Sequence, residues 1–276
     1  MVASTSRTRP RILSQALVAL LWLSGGCATR TFVVPTGRSA PYPAFAETFA
    51  DVTERCRQVS SLAAEFSLNG RVGSSRLRAR VLAGISVPDS VRLEGIAPFG
   101  APGFILAASP DAAVLLLPRD GRVLRGATVA EMLDALVGLP LTPDELLAVA
   151  TGCVSPAPTA LAGRAYPDGW VAVDLANGAV AYVHLDGTPR LAAGTVAGLI
   201  VEYRAFAYGF PSEIRLRSEE STAPGRPATD LIVTLSQVET NRRLGAEVFE
   251  VVVPSTAVPI DLEELRASGP LADASS

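Results

Sequence analysis

Alternating apolar and polar residues run through most of this chain. In residues 62–69 the apolar side chains fall on every second position, and the same period of two recurs at 76–81 and 90–94. Such alternation predicts strands with one face on an apolar core and the other on water. Further strand candidates lie at 104–108, 114–117, 170–176, 179–185, 199–203, 214–216, 231–235 and 249–253. The chain therefore predicts about ten or eleven antiparallel strands.

Three segments have the spacing of helices instead. Residues 44–59 place four apolar side chains on one face of a helix, namely Phe45, Phe49, Val52 and Cys56. Thr128 and Thr142 each precede an apolar helical stretch and have a glutamate three residues further on, which is the pattern of a helix capping box. Gly138 and Gly152 predict the ends of these two helices.

The clearest predicted hairpin joins residues 170–176 to residues 179–185 through Asn177-Gly178. Asn-Gly is the preferred pair for a two-residue type I′ turn. Such a turn would place three pairs opposite each other on one apolar face: Leu175 with Val180, Val173 with Tyr182, and Val171 with His184. The pattern therefore predicts that the one histidine of the chain lies on an apolar face.

These elements predict a mainly β, α+β fold with no internal domain boundary. So many alternating strands with few helices favour a single, strongly curved antiparallel sheet or open barrel. Its concave face would be apolar, with the three helices laid over the opening, and its interior could be packed solid or left as a ligand cavity. We predict that this domain spans residues 44–260 and that a C-terminal tail, 261–276, begins with a short helix.

The N-terminus has the three parts of an export signal. Residues 1–11 are polar and cationic, residues 12–23 are apolar, and small residues precede Cys27. The apolar run of about a dozen residues is too short for a membrane-spanning helix, which needs roughly 20. The pattern predicts a lipoprotein signal peptide over residues 1–26, with Cys27 as the lipid-modified first residue of the mature chain. The alternative is an ordinary signal peptide that is cut near Ala28.

Residues 27–43 and the overall composition add to this picture. The segment 27–43 is rich in Thr, Pro, Gly and Ser without periodicity, which predicts a flexible tether. Hydrophobic residues make up 49% of the chain, which is typical of a globular protein. All 24 basic residues are arginines, the net charge is −3, and removal of the signal peptide takes away three arginines. An acidic chain without a basic stripe does not have the electrostatic pattern of a nucleic-acid-binding protein.

The sequence contains no recognisable catalytic or metal-binding constellation. His184 has no serine or cysteine in a nucleophile context beside it, and the glycines do not have phosphate-loop spacing. Cys56 and Cys153 do not have metal-site spacing. In an oxidising compartment these two cysteines could form a disulfide, and two buried free thiols are the alternative. We therefore expect neither an enzyme nor a bound cofactor or metal.

Residues 97–152 hold short motifs in a definite order, namely Pro98-Phe99-Gly100, Asp120-Gly121-Arg122, Ala130-Glu131, Gly138-Leu139-Pro140-Leu141 and Thr151-Gly152. In order and spacing this stretch resembles the LolB family of outer-membrane lipoproteins, which receive other lipoproteins and insert them into the membrane. More loosely, the resemblance extends over residues 44–253. It implies a half-open β-barrel with a three-helix lid, the fold shared by LolB and its periplasmic partner LolA. It also implies a cavity that binds acyl chains by apolar contact alone.

The resemblance further implies where this protein would contact a membrane. LolB proteins have a protruding loop with an exposed apolar residue that engages the membrane, and by position in the motif that residue is Phe99, between Pro98 and Gly100. The flanking Pro98, Gly100 and Pro102 favour an exposed, stiff turn. The alternative is a phenylalanine at a strand end that faces the core.

We therefore expect a non-enzymatic, monomeric receptor that is anchored through Cys27 to the periplasmic face of the outer membrane. Ala28 favours this location, because an aspartate directly after the lipidated cysteine would be the inner-membrane retention signal. The receptor would take acylated proteins from a LolA-like carrier and hold their acyl chains among Phe66, Leu68, Val81, Leu93, Leu106, Leu133 and Leu136. The alternatives are a scaffolding envelope lipoprotein whose interior is packed solid and a lipid or glycolipid carrier with no insertion role.

Overall fold

The computed structural model describes the chain in five stretches, residues 32–96, 102–154, 158–185, 189–218 and 228–268. The chain divides into two units, residues 1–34 and residues 35–276. In the first unit, the described residues 32–34 form neither a helix nor a strand. The second unit holds all the helices and strands of the described residues.

Fifteen strands and four α-helices make up the described part of the second unit. The first half contains β1 (Ala40–Pro41), α1 (Phe45–Arg57), β2 (Ser61–Val72), β3 (Ser75–Ser86), β4 (Ser90–Ile96), β5 (Ile105–Ser109), β6 (Ala112–Leu117) and β7 (Arg122–Arg125). Two helices follow, α2 (Val129–Val137) and α3 (Pro143–Thr151). The second half contains β8 (Ala160–Ala165), β9 (Trp170–Leu175), β10 (Val180–His184), β11 (Arg190–Val196), β12 (Leu199–Ala207), β13 (Phe210–Ser218), β14 (Thr229–Thr240), β15 (Val258–Ile260) and α4 (Leu262–Ser268).

All fifteen described strands hydrogen-bond into one sheet. Their order is β1-β8-β9-β10-β11-β12-β13-β14-β2-β3-β4-β5-β6-β7-β15. Neighbouring strands are antiparallel, except that β15 pairs with β7 in parallel. The sheet is curved and unclosed, with β1 and β15 at its edges. The prediction of a mainly β fold on one curved, open antiparallel sheet is confirmed.

The strand list differs from the prediction in two ways. The strands β1, β7, β8, β11 and β15 were not predicted, and β8 and β11 are rich in alanine and glycine, which have a low preference for strands. The predicted strand at 249–253 is wrong, because residues 246–249 form a 3₁₀ helix. In this segment the carbonyl oxygens of Val248 and Glu250 accept hydrogen bonds from the Arg92 side chain instead of from a neighbouring strand.

One face of the sheet, here called the inner face, is covered by the helices. Across it, apolar or glycine residues pair in register from Gly163 through Val173, Ala181, Gly194, Val201, Leu216 and Leu231. Helix α1 packs on β8 to β11, and Phe45 lies so close over Gly163 that a β-carbon there would overlap it. Helices α2 and α3 pack against the strands around β2 and β3. Three helices therefore cover the inner face, as predicted.

Both predicted capping boxes are confirmed. The Thr128 and Thr142 hydroxyls accept the backbone N–H groups of Glu131 and Glu145, and each glutamate accepts its threonine's N–H in return. The hydrogen bonds from Thr128 lower the pKa of Glu131, because they favour the charged carboxylate. Both helices end at a glycine with positive φ, Gly138 and Gly152, as the sequence predicts.

The predicted register of the β9–β10 hairpin is wrong by one residue. Val183 lies opposite Val171 and His184 lies opposite Trp170. The turn has three residues rather than two, because Gly178 donates to the Leu175 carbonyl and Leu175 donates to the Ala179 carbonyl. Gly178 has a φ of 80°, which suits a type I turn followed by a left-handed residue. His184 and Tyr182 therefore lie on the outer face, away from Val171.

The folded region extends beyond the predicted bounds of 44–260. Ala40 pairs with Ala165 at the sheet edge, so the predicted tether overlaps β1. At the other end, Leu265 of α4 is fully buried and Arg266 lies 3.6 Å from the Asp134 carboxylate of α2. The predicted signal peptide and Cys27 lie outside the described residues. Within the described stretches, no helix is long and apolar enough to cross a membrane.

Candidate functional site

An apolar cavity of about 90 Å³ lies between the inner face of the sheet and helices α2 and α3. The side chains that line it are Phe66, Leu68, Leu77, Ala79, Val81, Leu93, Phe104, Leu133, Leu136, Val137, Leu139, Leu141, Leu146, Val149, Ala150, Ile214, Leu216, Val233 and Leu235. Every one of them is apolar, so the cavity offers a ligand contact with hydrocarbon and no charged or hydrogen-bonding side chain.

The lid side of the cavity comes from two short helices and the turn between them. Helix α2 contributes Leu133, Leu136 and Val137, which fall on its buried stripe. The connecting residues Leu139 and Leu141 also line the cavity, and both are buried. Apolar packing of these leucines therefore holds the turn against the sheet.

The cavity lies toward one end of the sheet, here called the hairpin end, where β2 turns into β3 at residues 73–74. The strand β14 begins at this end, opposite Val72, and Thr229 there donates a hydrogen bond to the Val137 carbonyl at the end of α2. On β2 and β3, the lining residues Leu68 and Ala79 remain partly exposed. These two residues bring the cavity lining close to solvent near the hairpin end.

Glycine at position 95 makes room for one lining ring. A β-carbon on Gly95 would lie 2.6 Å from two atoms of the Phe104 ring, so no other residue could occupy this position without displacing the ring. Phe104 is itself 4% exposed and forms one wall of the cavity. The sequence signal for this contact is a lone glycine inside an alternating strand, which marks a close approach.

The size of the cavity constrains how it could be used. An engineered protein cavity of about 150 Å³ holds one benzene molecule, so about 90 Å³ is less than a ring-sized ligand requires. An acyl chain would therefore have to displace side chains or move α2 and the α2–α3 turn away from the sheet. As described, the interior is largely filled by its own residues.

The structure brings most of the predicted cavity residues together. Six of the seven line the cavity, namely Phe66, Leu68, Val81, Leu93, Leu133 and Leu136. Leu106 does not line it, because it is fully buried between Leu93 and Leu115 in the sheet, and Phe104 two residues earlier takes the lining position. Pro98, Phe99 and Gly100 lie outside the described residues, between Ile96 at the end of β4 and Pro102.

Cys56 and Cys153 form a disulfide that ties α1 to the end of α3. Their Cα atoms are 5.8 Å apart. The Tyr203 hydroxyl donates a 3.0 Å hydrogen bond to the Cys153 carbonyl, and burial raises the pKa of Tyr203. Gly152 lies against Pro211 near the start of β13, so the disulfide lies toward the end of the sheet opposite the hairpin end. It holds that end of the lid in place.

Among the described residues, the cavity lining contains no titratable, nucleophilic or metal-ligating side chain. The His184 ring packs edge-on against Trp170 on the outer face, with ring centroids 4.6 Å apart. No group of three or more His, Cys, Asp or Glu side chains in the described stretches could hold a metal ion. The chemistry that the cavity supports is therefore apolar binding.

Comparison with known proteins finds similar solved structures at low sequence identity. The sequence matches no protein-family model and no curated protein. It is similar to a LolA superfamily protein from Nitrosomonas europaea, with 10% identity, a TM-score of 0.48, and coverage of 75% of this chain and 98% of that one. A DUF1329 family protein from Desulfovibrio piger has 10% identity and a TM-score of 0.44, and covers 75% and 97% of the two chains. Because these TM-scores are below 0.5, the similarities do not indicate the function of this chain.

Proposed function

We propose that this protein binds acyl chains between the inner face of its sheet and the α2–α3 lid. The observation that supports the proposal most strongly is a cavity whose lining is entirely apolar. Each methylene that leaves water contributes about 0.8 kcal/mol, so partial burial of one chain suffices for useful affinity. A polar headgroup would stay outside, because the lining has no side chain that could bind it.

The lid supplies a route of entry in this proposal. Helix α2 and the turn at 138–142 move at the hairpin end, while the disulfide holds the far end of α3 to α1. Because the lid packs on the sheet through leucines, an acyl chain replaces one set of apolar contacts with another. An acyl chain can then pass between this cavity and a second apolar site, provided that the chain buries a similar apolar area in each.

The biological role we propose is that of an outer-membrane lipoprotein receptor. Cys27 would carry the lipid anchor at the periplasmic face, and a LolA-like carrier would deliver acylated proteins. Phe99, in the loop between β4 and β5, would enter the bilayer as the acyl chains leave. This role requires no enzymatic step and no cofactor.

A fatty-acid displacement assay tests the acyl-binding proposal. The chain from Ala28 onward, secreted behind an unrelated signal peptide, forms its disulfide and has no lipid anchor. We expect it to bind a fluorescent long-chain fatty acid saturably and to release it when unlabelled palmitate is added. Absence of saturable binding would instead support the scaffolding alternative, in which the interior stays packed.

The small volume of the cavity is the observation that favours this scaffolding alternative. With a cavity of only about 90 Å³, the interior is close to solidly packed. A solidly packed interior would leave the outer surface as the place where an envelope partner binds. The two candidates differ in whether α2 moves. Palmitate should increase amide hydrogen exchange in α2 and the α2–α3 turn if the lid opens, and it should have no effect on a packed scaffold.

The membrane role of Phe99 is tested by the variant Phe99→Glu. With protein preloaded with the fluorescent fatty acid, we expect transfer to quencher-containing vesicles to slow at least tenfold, because inserting a carboxylate into the bilayer is unfavourable. Tyr208→Glu is the matched control, since Tyr208 is 98% exposed in the turn between β12 and β13 at the opposite end of the sheet. If both variants transfer the fatty acid at the wild-type rate, the wedge role of Phe99 is wrong.

A further inference from the structure

Three arginines lie together on the outer face of the β2–β3 hairpin. Arg71 on β2 is directly opposite Arg76 on β3, and Arg78 follows on the same face two residues along. All three side chains are exposed. Cross-strand neighbours in an antiparallel pair have β-carbons about 5 Å apart, so these guanidinium groups share one small surface. We refer to Arg71, Arg76 and Arg78 as the arginine surface.

The described carboxylates do not neutralise this surface. Arg71 donates to the Ser74 carbonyl at 2.9 Å, and none of the three forms an ion pair with an acidic side chain of the described stretches. By contrast, Arg80 on the same strand is held by Glu65 with two hydrogen bonds of 2.9 and 2.8 Å. Asp230, opposite Arg71 on β14, is held in the same way by Arg215.

Folding alone gives no reason for this arrangement. Like charges directly opposite each other in a sheet are destabilising, and the chain as a whole carries a net charge of −3. Alternation along β3 already places Arg76 and Arg78 on one face, and the register of β2 with β3 adds Arg71 beside Arg76. A surface that is unfavourable in the isolated protein is expected where a partner supplies the opposite charge.

The position of the arginine surface indicates the kind of partner. Leu77 and Ala79 alternate with Arg76 and Arg78 along β3 and line the cavity on the other side of the sheet. The same short segment is therefore basic on its outer face and apolar on its inner face, at the hairpin end. Guanidinium groups bind phosphate oxygens in a fork geometry, and their apolar stems can lie among lipid chains.

We propose that the arginine surface binds the phosphate groups of anionic phospholipids and holds the hairpin end of the sheet against a bilayer. This proposal deepens the proposed function and rests on it, because the cavity has to lie next to the bilayer if acyl chains are to pass between them.

Vesicle co-sedimentation of the unanchored chain from Ala28 tests this proposal. We expect binding to phosphatidylcholine vesicles that contain phosphatidylglycerol, weak binding to phosphatidylcholine alone, and loss of binding as salt rises. Each arginine near an anionic surface contributes about a fivefold increase in affinity, so the triple variant Arg71→Gln, Arg76→Gln, Arg78→Gln should bind on the order of 100-fold more weakly.

The matched control removes the same charge from the far end of the sheet. The triple variant Arg57→Gln, Arg242→Gln, Arg243→Gln changes three exposed arginines, and we expect it to bind anionic vesicles like the wild type. An equal loss in both triple variants would overturn the proposal, because net charge would then be the cause. The proposal would also be overturned if the first triple variant bound anionic vesicles as well as the wild type does. The same holds if the wild type bound neutral vesicles equally well, or bound single-stranded RNA more tightly than anionic vesicles.

The same variants separate this proposal from the proposed function. The first triple variant should displace fluorescent fatty acid like the wild type, because the three side chains lie outside the cavity, and this result also shows that it folds. Suppose that neither the wild type nor any variant binds fatty acid, while the wild type still binds anionic vesicles through the arginine surface. The acyl-binding proposal would then be wrong, and the proposal for the arginine surface would still hold.

Discussion

Replacing Ala79 with leucine should weaken fatty-acid binding by roughly 50-fold, because the new side chain occupies space that an acyl chain would use. Ala79 lines the cavity on β3, between Leu77 and Val81 on the same face. Leucine adds three carbon atoms to the lining and so reduces the space of about 90 Å³ that the cavity offers. The measurement is displacement of the fluorescent fatty acid by palmitate.

The stability of the Ala79→Leu variant separates filling of the cavity from damage to the fold. Burying three more carbon atoms offsets the strain of tighter packing, so we expect the free energy of unfolding in urea to stay within about 1 kcal/mol of the wild type. Ala112→Leu is the matched control, since Ala112 is an exposed strand residue in β6. Wild-type affinity in the Ala79→Leu variant would show that acyl chains bind elsewhere.

Replacing Cys56 and Cys153 with alanine lowers the free energy of unfolding by about 4 to 5 kcal/mol. The disulfide joins residues that are 97 apart in the sequence, and a cross-link that closes a loop of about 100 residues contributes nearly 5 kcal/mol by restricting the unfolded chain. Alanine avoids burying an unpaired hydroxyl at two sites that are each 7% exposed. Urea unfolding of the oxidised wild type and the double variant measures the difference.

Fatty-acid binding should respond differently from stability in the same double variant. The disulfide lies at the far end of α3, away from the lid turn and the hairpin end, so the affinity for palmitate should change less than threefold. Wild-type protein unfolded in a reducing agent should match the double variant, which controls for the substitutions themselves. A loss of stability below about 1 kcal/mol would mean that the disulfide does not restrain the unfolded chain as this loop length predicts.

Much of the fold follows from local patterns in the sequence. The alternation in β2, β3 and β4 depends only on which residues avoid water, and the two capping boxes depend only on neighbours three residues apart. By contrast, β8 forms because β9 and β1 offer hydrogen-bond partners on either side, and its own residues carry little preference for a strand. The Asn177-Gly178 pair is compatible with turns of two or three residues, so it predicts the hairpin correctly but not its register.

The site could be predicted in part for the same reason. Alternation places four of the lining residues on the inner face, namely Phe66, Leu68, Val81 and Leu93. Any cavity of this fold would lie on that face. Which residues of the inner face line the cavity depends on the register of several strands. The sequence therefore could not show that Phe104 lines the cavity and Leu106 does not. The volume of the cavity depends on how closely α2 and α3 approach the sheet, and the arginine surface depends on the pairing of β2 with β3.

Photo-crosslinking with a diazirine-labelled palmitate analogue tests most directly whether acyl chains bind under the lid. The analogue is irradiated with the chain from Ala28, and the modified peptides are mapped by mass spectrometry. The account predicts labels on residues of the cavity, such as Phe104, Leu133 and Leu136, which decrease when unlabelled palmitate competes and when Ala79 is replaced by leucine. Labels confined to exposed apolar residues such as Leu82 and Leu161, unaffected by palmitate, would contradict it.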